Sequence, residues 1–248
     1  MNLLLRRRYR VASSDVGPRG ELRASALMGY LEDAAGAHAA GYGVGVRELQ
    51  ARRLAWVLAR YHLVLLRVPL LAEELEVATW PSGRTAVFAT RDFAVTDAAG
   101  AMVAQATTSW AVIDVASKRP RRMSDVVDPA FVLDRRAIAD AFDSLPGPAA
   151  VEREVALAVL RRDLDMNGHV NHAVYVDWAL EAAPGELADA GSPRAIEVAY
   201  RAEARLGDRV LSSSAAGRDG AGTRVLLHRI ANAATGAELA RLRTTWPA

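Results

Sequence analysis

Apolar and polar positions along this 248-residue chain follow two different rhythms. Over residues 25–40, small and apolar side chains recur at helical spacing, with Leu27, Met28 and Leu31 on one face and alanines filling much of the rest. Ser25 is placed to cap this helix, and Gly41 and Gly43 to stop it. Four strand-like runs follow. Residues 54–68 are rich in Val, Leu, Trp and Tyr, and residues 74–80 alternate, with Leu75, Val77 and Thr79 on one face. Residues 86–96 and 102–114 complete the set, and Pro69, residues 81–83 and residues 97–100 supply the breaks. Breaks this short predict antiparallel pairing, since a parallel pair needs a long crossover.

The pattern then changes and repeats. Residues 117–122, SKRPRR, read as a basic loop, residues 134–142 as a short polar helix, and Leu145-Pro-Gly-Pro148 as a linker. Helical character returns over 173–188, interrupted at Pro184. Strands are expected over 196–201, 209–215, 223–232 and 238–246, with breaks at 206–208, 217–222 and 233–236. Local text recurs in the same order. Tyr30-Leu-Glu-Asp-Ala-Ala35 resembles Trp178-Ala-Leu-Glu-Ala-Ala183, and Ala104-Gln-Ala-Thr-Thr-Ser-Trp110 resembles Ala240-Arg-Leu-Arg-Thr-Thr-Trp246. Together these argue for an internal duplication. The expected class is α+β: an N-terminal domain over 1–143 with a trailing linker helix, and a C-terminal domain over 149–248. Each is expected to be one Ala-rich helix wrapped by a curved antiparallel sheet.

Composition narrows the chemistry. With no cysteine, thiolate catalysis, disulfides and zinc–thiolate sites are excluded. The net charge of +2 comes from arginine, with Lys118 the single lysine, and is too small to argue for nucleic acid. A mild basic excess does help to steer an acidic partner. Leu3, Leu4 and Leu5 are too few for a signal-peptide core, and the apolar stretch 54–71 is interrupted by Arg60, His62 and Arg67. The expectation is a cytoplasmic protein with no membrane insertion.

The densest group of chemically useful side chains is residues 163–175, DLDMNGHVNHAVY. Asp165, Asn167 and His169 alternate in a D-x-N-x-H spacing that aims three polar groups one way if locally extended. The group precedes a helix, whose unpaired N–H groups suit a developing oxyanion. Asp163 and Asn171 read as turn and cap residues. His169 and His172 form an H-x-x-H, but no third ligand is nearby in sequence, so no metal is expected. His38, His62 and His228 fall within helix or strand patterns and are expected to be structural.

The segment Asp165-Met-Asn-Gly-His-Val-Asn-His-Ala-Val-Tyr175, with Trp178 and Glu181-Ala-Ala-Pro184 after it, resembles the signature of acyl-acyl carrier protein (acyl-ACP) thioesterases. Glu197-Val-Ala-Tyr-Arg-Ala-Glu203-Ala204 resembles that family's E-Y-R-R-E-C stretch, and the likeness runs from about Tyr9 to Trp246. It implies two tandem hot-dog domains, the active site in the second repeat, no cofactor, and a fatty acyl carrier protein as partner. Asp165, Asn167 and His169 match the family's catalytic loop, and Glu203 its acidic residue on the following strand. The family's neighbouring Cys is Ala204 here, and His172 stands where the family usually has Asn.

Water attack on the thioester carbon needs a base, and Glu203 is the candidate. His169 would orient the water or share its proton, which leaves open which of Glu203 and His169 is the base; Asn167 would hold water or thioester, and Asp165 would fix the geometry of Asn167 and His169. An acyl tunnel in the first repeat is expected around Leu27, Met28, Leu31, Trp56 and Leu58. Arg52, Arg53, Arg119, Arg121 and Arg122 are candidates for docking the carrier. The alternatives are an acyl-CoA thioesterase and a non-catalytic acyl-binding or regulatory protein on the same fold. A hot-dog hydratase would place His five residues after Asp, whereas His169 is four after Asp165. The expected state is a monomer with intrachain hot-dog pairing, or a homodimer.

Overall fold

Helix α1, Ala24–Gly41, forms from the alanine- and glycine-rich stretch in the computed structural model, which describes residues 3–217 and 223–247. Ser25 is not its cap: it lies in the first turn, and extended Arg23 precedes the helix without a side-chain cap. Past the helix end, Gly43 adopts φ +71, a left-handed turn that side chains rarely tolerate. The chain divides into two compact units, Met1–Ala141 and Phe142–Ala248.

The first unit contains β1 (Leu5–Arg10), α1, the short α2 (Val46–Ala51), and strands β2 (Leu54–Leu65), β3 (Glu74–Arg84), β4 (Phe88–Asp97) and β5 (Met102–Asp114). All pairings are antiparallel, in the order β1-β3-β4-β5-β2. Alternation along β3 drives Leu75, Val77 and Thr79 inward, each at most 1% exposed. Helix α1 packs against β3 and β1 and buries Leu27, Met28, Leu31, Ala34, Ala35 and His38. Strand β3 does not end at Pro81. It runs on to Arg84 through a register shift between Pro81 and Gly83. Strand β1 reaches only as far as Thr79, so the N–H that proline lacks has no ladder partner to lose.

The other face of this sheet carries Ala78, Trp80 and Ala94, packed against Leu4, Leu133 and Ala137. The polar helix expected over 134–142 is absent. That segment is an extended strap whose hydrogen bonds go to the sheet. The Leu133 N–H donates to Pro81 O at 2.8 Å, and Trp80 Nε1 donates to Arg135 O at 2.6 Å. Asp92, fully buried, accepts from Ala137 N at 2.5 Å and from Arg136 Nε at 3.2 Å. A helix would withdraw these peptide groups from the sheet.

The second unit contains β6 (Arg153–Ala158), α3 (Val174–Glu181), α4 (Gly185–Ala190), β7 (Ala195–Tyr200), β8 (Arg209–Ala216), β9 (Arg224–Asn232) and β10 (Glu238–Trp246). Its order, β6-β8-β9-β10-β7, repeats the first unit element for element. The helix here is short, because Pro184 separates α3 from α4. The duplication extends to single bonds: Trp110 Nε1 donates to Thr108 Oγ1 at 2.8 Å, and Trp246 Nε1 to Thr244 Oγ1 at 2.9 Å. Most of the break expected at 217–222 lies outside the described residues. Among the described residues, no helix is long and apolar enough to cross a membrane.

His228 on β9 is fully buried in the second unit, with Nε2 2.9 Å from Thr244 Oγ1. Burial holds the neutral imidazole and pushes its pKa down to about 4, against a smaller opposing effect of the Ala179 backbone. The unfolded chain therefore takes up a proton at higher pH than the fold does. Stability from this group is complete above pH ~6.5 and falls as pH drops toward ~4, a loss of about 3 kcal/mol at ~1.4 kcal/mol per unit. By strand register His228, opposite Leu242, occupies the place of Phe93, opposite Ala106. Urea titrations at pH 7 and 4.5 are expected to show a smaller acid loss for His228→Phe than for the native chain. Equal losses would remove His228 as the cause.

Candidate active site

The loop 164–170 is built by its own backbone. A one-turn 3-10 helix, Arg161–Asp163, leads in, and Asp163 Oδ2 accepts from Leu160 N at 2.7 Å. Asn171 Oδ1 accepts from Ala173 N at 2.9 Å, so Asp163 and Asn171 hold the turn and the entry to α3. Between them, Asp165 N donates to His169 O at 2.8 Å and Gly168 N to Asp165 O at 3.1 Å. Gly168 sits at φ +77, which closes this tight loop.

Asp165 is committed to holding the loop. Its Oδ1 accepts from the backbone N–H of Asn167 (2.8 Å) and His169 (3.2 Å), and its Oδ2 from Asn167 Nδ2 (3.2 Å). The loop then lies beside the segment after β7: Val170 N donates to Ala204 O at 3.1 Å, and His169 bridges to Arg205. His169 Nε2 therefore stands 3.2 Å from Glu203 Oε2. The two side chains are 29% and 44% exposed, so water reaches both. Arg205 Nη2 lies 3.8 Å from the same carboxylate oxygen. Asp165, Asn167, His169 and Glu203, 38 positions apart at the extremes, form one constellation. A carboxylate touching an imidazole over a rigid amide-bearing loop can polarise a water and hold a carbonyl.

The same loop backbone occurs in the first unit without this chemistry. Val16 bridges to Leu22, Gly17 N donates to Glu21 O at 2.9 Å, and Gly20 has φ +71. Gly17, Arg19 and Glu21 occupy the places of Asp165, Asn167 and His169.

Residues 2–129 match the family described as acyl-ACP thioesterase N-terminal domain, and residues 148–248 the acyl-ACP thioesterase C-terminal domain. The chain belongs to the acyl-ACP thioesterase family. It is similar to the chloroplastic dodecanoyl-[acyl-carrier-protein] hydrolase of Cinnamomum camphora, 28% identical over 98% of this chain and 68% of that protein. It is also similar to the chloroplastic oleoyl-acyl carrier protein thioesterase 1 of Arabidopsis thaliana, 25% identical over 98% of this chain and 76% of that protein. Among solved structures, the 12:0-ACP thioesterase from Umbellularia californica matches with TM-score 0.87 and 25% identity, over 99% of this chain and 94% of that one. An acyl-ACP thioesterase from Bacteroides thetaiotaomicron, 24% identical, shares the fold with TM-score 0.84 over 98% of each chain. The α+β class with two tandem hot-dog repeats is the fold of this family member.

Other residues singled out by the family signature fall in distinct places. Ala204, where the family has Cys, is fully buried. The carbonyl of His172 accepts from Tyr200 OH at 3.0 Å, and its ring is edge-on to Tyr200. The N–H groups of Ala173 and Val174, expected to face an oxyanion, are already bound to Asn171. Leu27, Met28 and Leu31 are at most 1% exposed, under α1. Leu58, on β2, is 8% exposed. Trp56 belongs to a different cluster, with Val44, Leu49, Val112 and Met123, and its Nε1 donates to Val44 O at 2.8 Å. Arg53 O and Arg119 O accept from Val115 and Asp114 N–H, which brings the two arginine-bearing loops to one end of the first unit's sheet.

Tyr175 closes the signature segment and also reaches the site. Its hydroxyl accepts from Ala204 N at 2.9 Å and lies 3.5 Å from Ala202 O, so it touches the backbone on both sides of Glu203. Burial above all, then the carboxylates of Glu203, Asp208 and Asp165, push its pKa up to about 12, and it stays neutral. Its place i+10 from Asp165, on the first turn of α3, was the signal for it. Tyr175→Phe keeps the ring and removes the hydroxyl. It is expected to lower kcat about tenfold with KM within about twofold, the scale of one lost hydrogen bond. An unchanged kcat would leave the ring as packing alone.

Proposed function

We propose that this member of the family hydrolyses a fatty acyl-ACP to free fatty acid and carrier, with Glu203 as general base. The observation that carries the reading is the 3.2 Å contact of His169 Nε2 with Glu203 Oε2 beside a loop fixed by Asp165. Glu203 takes a proton from water as its oxygen attacks the thioester carbon. His169 orients that water and stabilises the carboxylate it touches. Asn167, whose amide is oriented by Asp165, would turn that amide toward the carbonyl oxygen as negative charge develops. When the tetrahedral intermediate collapses, the carrier's thiolate leaves and takes up the proton. An acyl chain held by residues 1–143 and chemistry in 149–248 belong to the same proposal.

The test is release of free thiol from a panel of acyl-ACPs and the matched acyl-CoAs. Faster release from acyl-ACP is the expected result. Release from acyl-CoA alone would keep the chemistry and replace the carrier. No release from either would sink the reading.

A further inference from the structure

Around the catalytic loop the two repeats match bond for bond and differ in charge. Val11 N donates to Glu73 O, and Val159 N to Asp208 O, each at 2.9 Å. Leu70 N donates to Glu73 Oε2 at 3.0 Å, and Arg205 N to Asp208 Oδ2 at 2.9 Å. Ala12 N donates to Asp15 Oδ2 at 3.4 Å, and Leu160 N to Asp163 Oδ2 at 2.7 Å. The strand registers, Tyr9 opposite Leu75 and Leu157 opposite Val210, extend the match. Ser13, Ser14, Leu70 and Glu74 of the first unit therefore occupy the places of Arg161, Arg162, Arg205 and Arg209 in the second. The copy that carries the catalytic side chains has arginine at all four.

All four arginines are exposed, with the side chains of Arg162 and Arg205 at 82% and 65%. Backbone bonds gather them beside the site. The Val159–Asp208 bond joins the segment before Arg161 to the turn between Arg205 and Arg209, and the His169–Arg205 bridge sets that turn against the catalytic loop. The aspartates in the same place are engaged by backbone N–H groups: Asp163 by Leu160, Asp165 by Asn167 and His169, Asp208 by Arg205. Arg162 stands 3.9 Å from Asp163 and Arg205 3.8 Å from Glu203. Among the described residues Arg161 and Arg209 have no ion pair, and no side chain of the four donates a hydrogen bond. The first unit builds the same turns without these guanidinium groups, so the fold does not require them.

We propose that Arg161, Arg162, Arg205 and Arg209 form the surface on which the acidic face of the acyl carrier protein docks. The inference rests on the hydrolysis reading for its choice of carrier and adds where that carrier sits. A carrier has to bring its thioester to Glu203, so the surface beside Glu203 is the one it meets. Guanidinium groups there pair with carboxylates and steer the encounter. Docking then belongs to the second unit and not to Arg52, Arg53, Arg119, Arg121 and Arg122 of the first.

The test is the dissociation constant of a fluorescently labelled acyl carrier protein whose arm holds its acyl group as an amide, so that binding needs no hydrolysis. It is measured at about 50 and about 300 mM salt, where screening of exposed charges differs strongly. The chains compared are the native one, Arg161→Ser/Arg162→Ser, the same pair with Arg209→Glu, and Arg119→Ser/Arg121→Ser. The substitutions in the second unit install the residues of the first. Arg205 is left in place because it stands beside Glu203. At low salt the double variant is expected to bind about fivefold more weakly and the triple about twentyfold, a few-fold for each exposed ion pair. Melting should stay within about 2 °C, as for exposed side chains, and the differences should shrink at high salt. Arg119→Ser/Arg121→Ser is expected to bind within about twofold of native, since screened charges away from the contact add little. If the triple variant does not fold, the double decides. Full affinity in the double variant, a native affinity that does not fall with salt, an equal loss in Arg119→Ser/Arg121→Ser, or no binding to the native chain overturns the inference. Thiol release from acyl-ACP by the native chain, measured alongside, separates the two readings. Arginine-dependent binding without release keeps the docking surface and sinks hydrolysis, and release with binding that ignores these arginines does the reverse.

Discussion

Glu203→Ala is expected to lower kcat for acyl-ACP hydrolysis by about a hundredfold or more, with KM changed little. A positioned general base contributes about 10²–10⁴-fold, and a hundredfold corresponds to ~2.7 kcal/mol in the barrier. The side chain is 44% exposed and sits after β7 in a segment held by other groups: Ala204 N to Tyr175 OH, and Val170 N to Ala204 O. Its removal therefore leaves the backbone supported, and the loss should appear in catalysis rather than in melting temperature. Glu203→Gln, similar in shape but unable to accept the proton, should be nearly as inactive. His169 and Glu203 are in contact, so the double variant should lose far less than the product of the two single losses. A loss under threefold in Glu203→Ala would exclude it as the base.

Asp92→Ala is expected to destabilise the first unit by about 3–4 kcal/mol, without touching the catalytic loop. The carboxylate is fully buried and accepts four hydrogen bonds: Ser82 Oγ (2.8 Å), Thr107 Oγ1 (2.6 Å), Arg136 Nε (3.2 Å) and Ala137 N (2.5 Å). Breaking a buried pair costs about 3–5 kcal/mol, and the lower half of that range applies because Arg136 is 33% exposed and can turn to water. At roughly 2–4 °C per kcal/mol for a chain of this size, melting should fall by about 10 °C. The strap should loosen first, so trypsin is expected to cut after Arg135 or Arg136 at concentrations that leave the native chain intact. A melting change under about 2 °C, with unchanged proteolysis, would show that Asp92 does not hold the strap.

Strands with strict alternation, such as residues 240–246, and the D-x-N-x-H loop were legible in the sequence because their information is local. Side chains two positions apart share a face in any strand, and a tight loop closed by Gly168 brings its own alternate residues together. The two outer strands were not legible. In Leu5–Arg10 the pattern is arginine-rich, and the strand forms by pairing in register with β3, Leu5 opposite Thr79 and Arg10 opposite Glu74, far away in sequence. The strap over 134–142 was misread for a related reason. Its composition suits a polar helix, but the buried Asp92 carboxylate and the Trp80 indole N–H offer its peptide groups better partners than a helix does.

By itself, then, the sequence determined the duplication, the α+β class and the candidate site residues, since periodicity, repeated text and a short motif need no distant partner. Only the tertiary structure decided that Glu203 meets His169 and that Tyr175 touches the backbone on both sides of Glu203. Those contacts join residues from separate elements, and the registers that align them are set by packing of whole sheet faces, which no local pattern encodes.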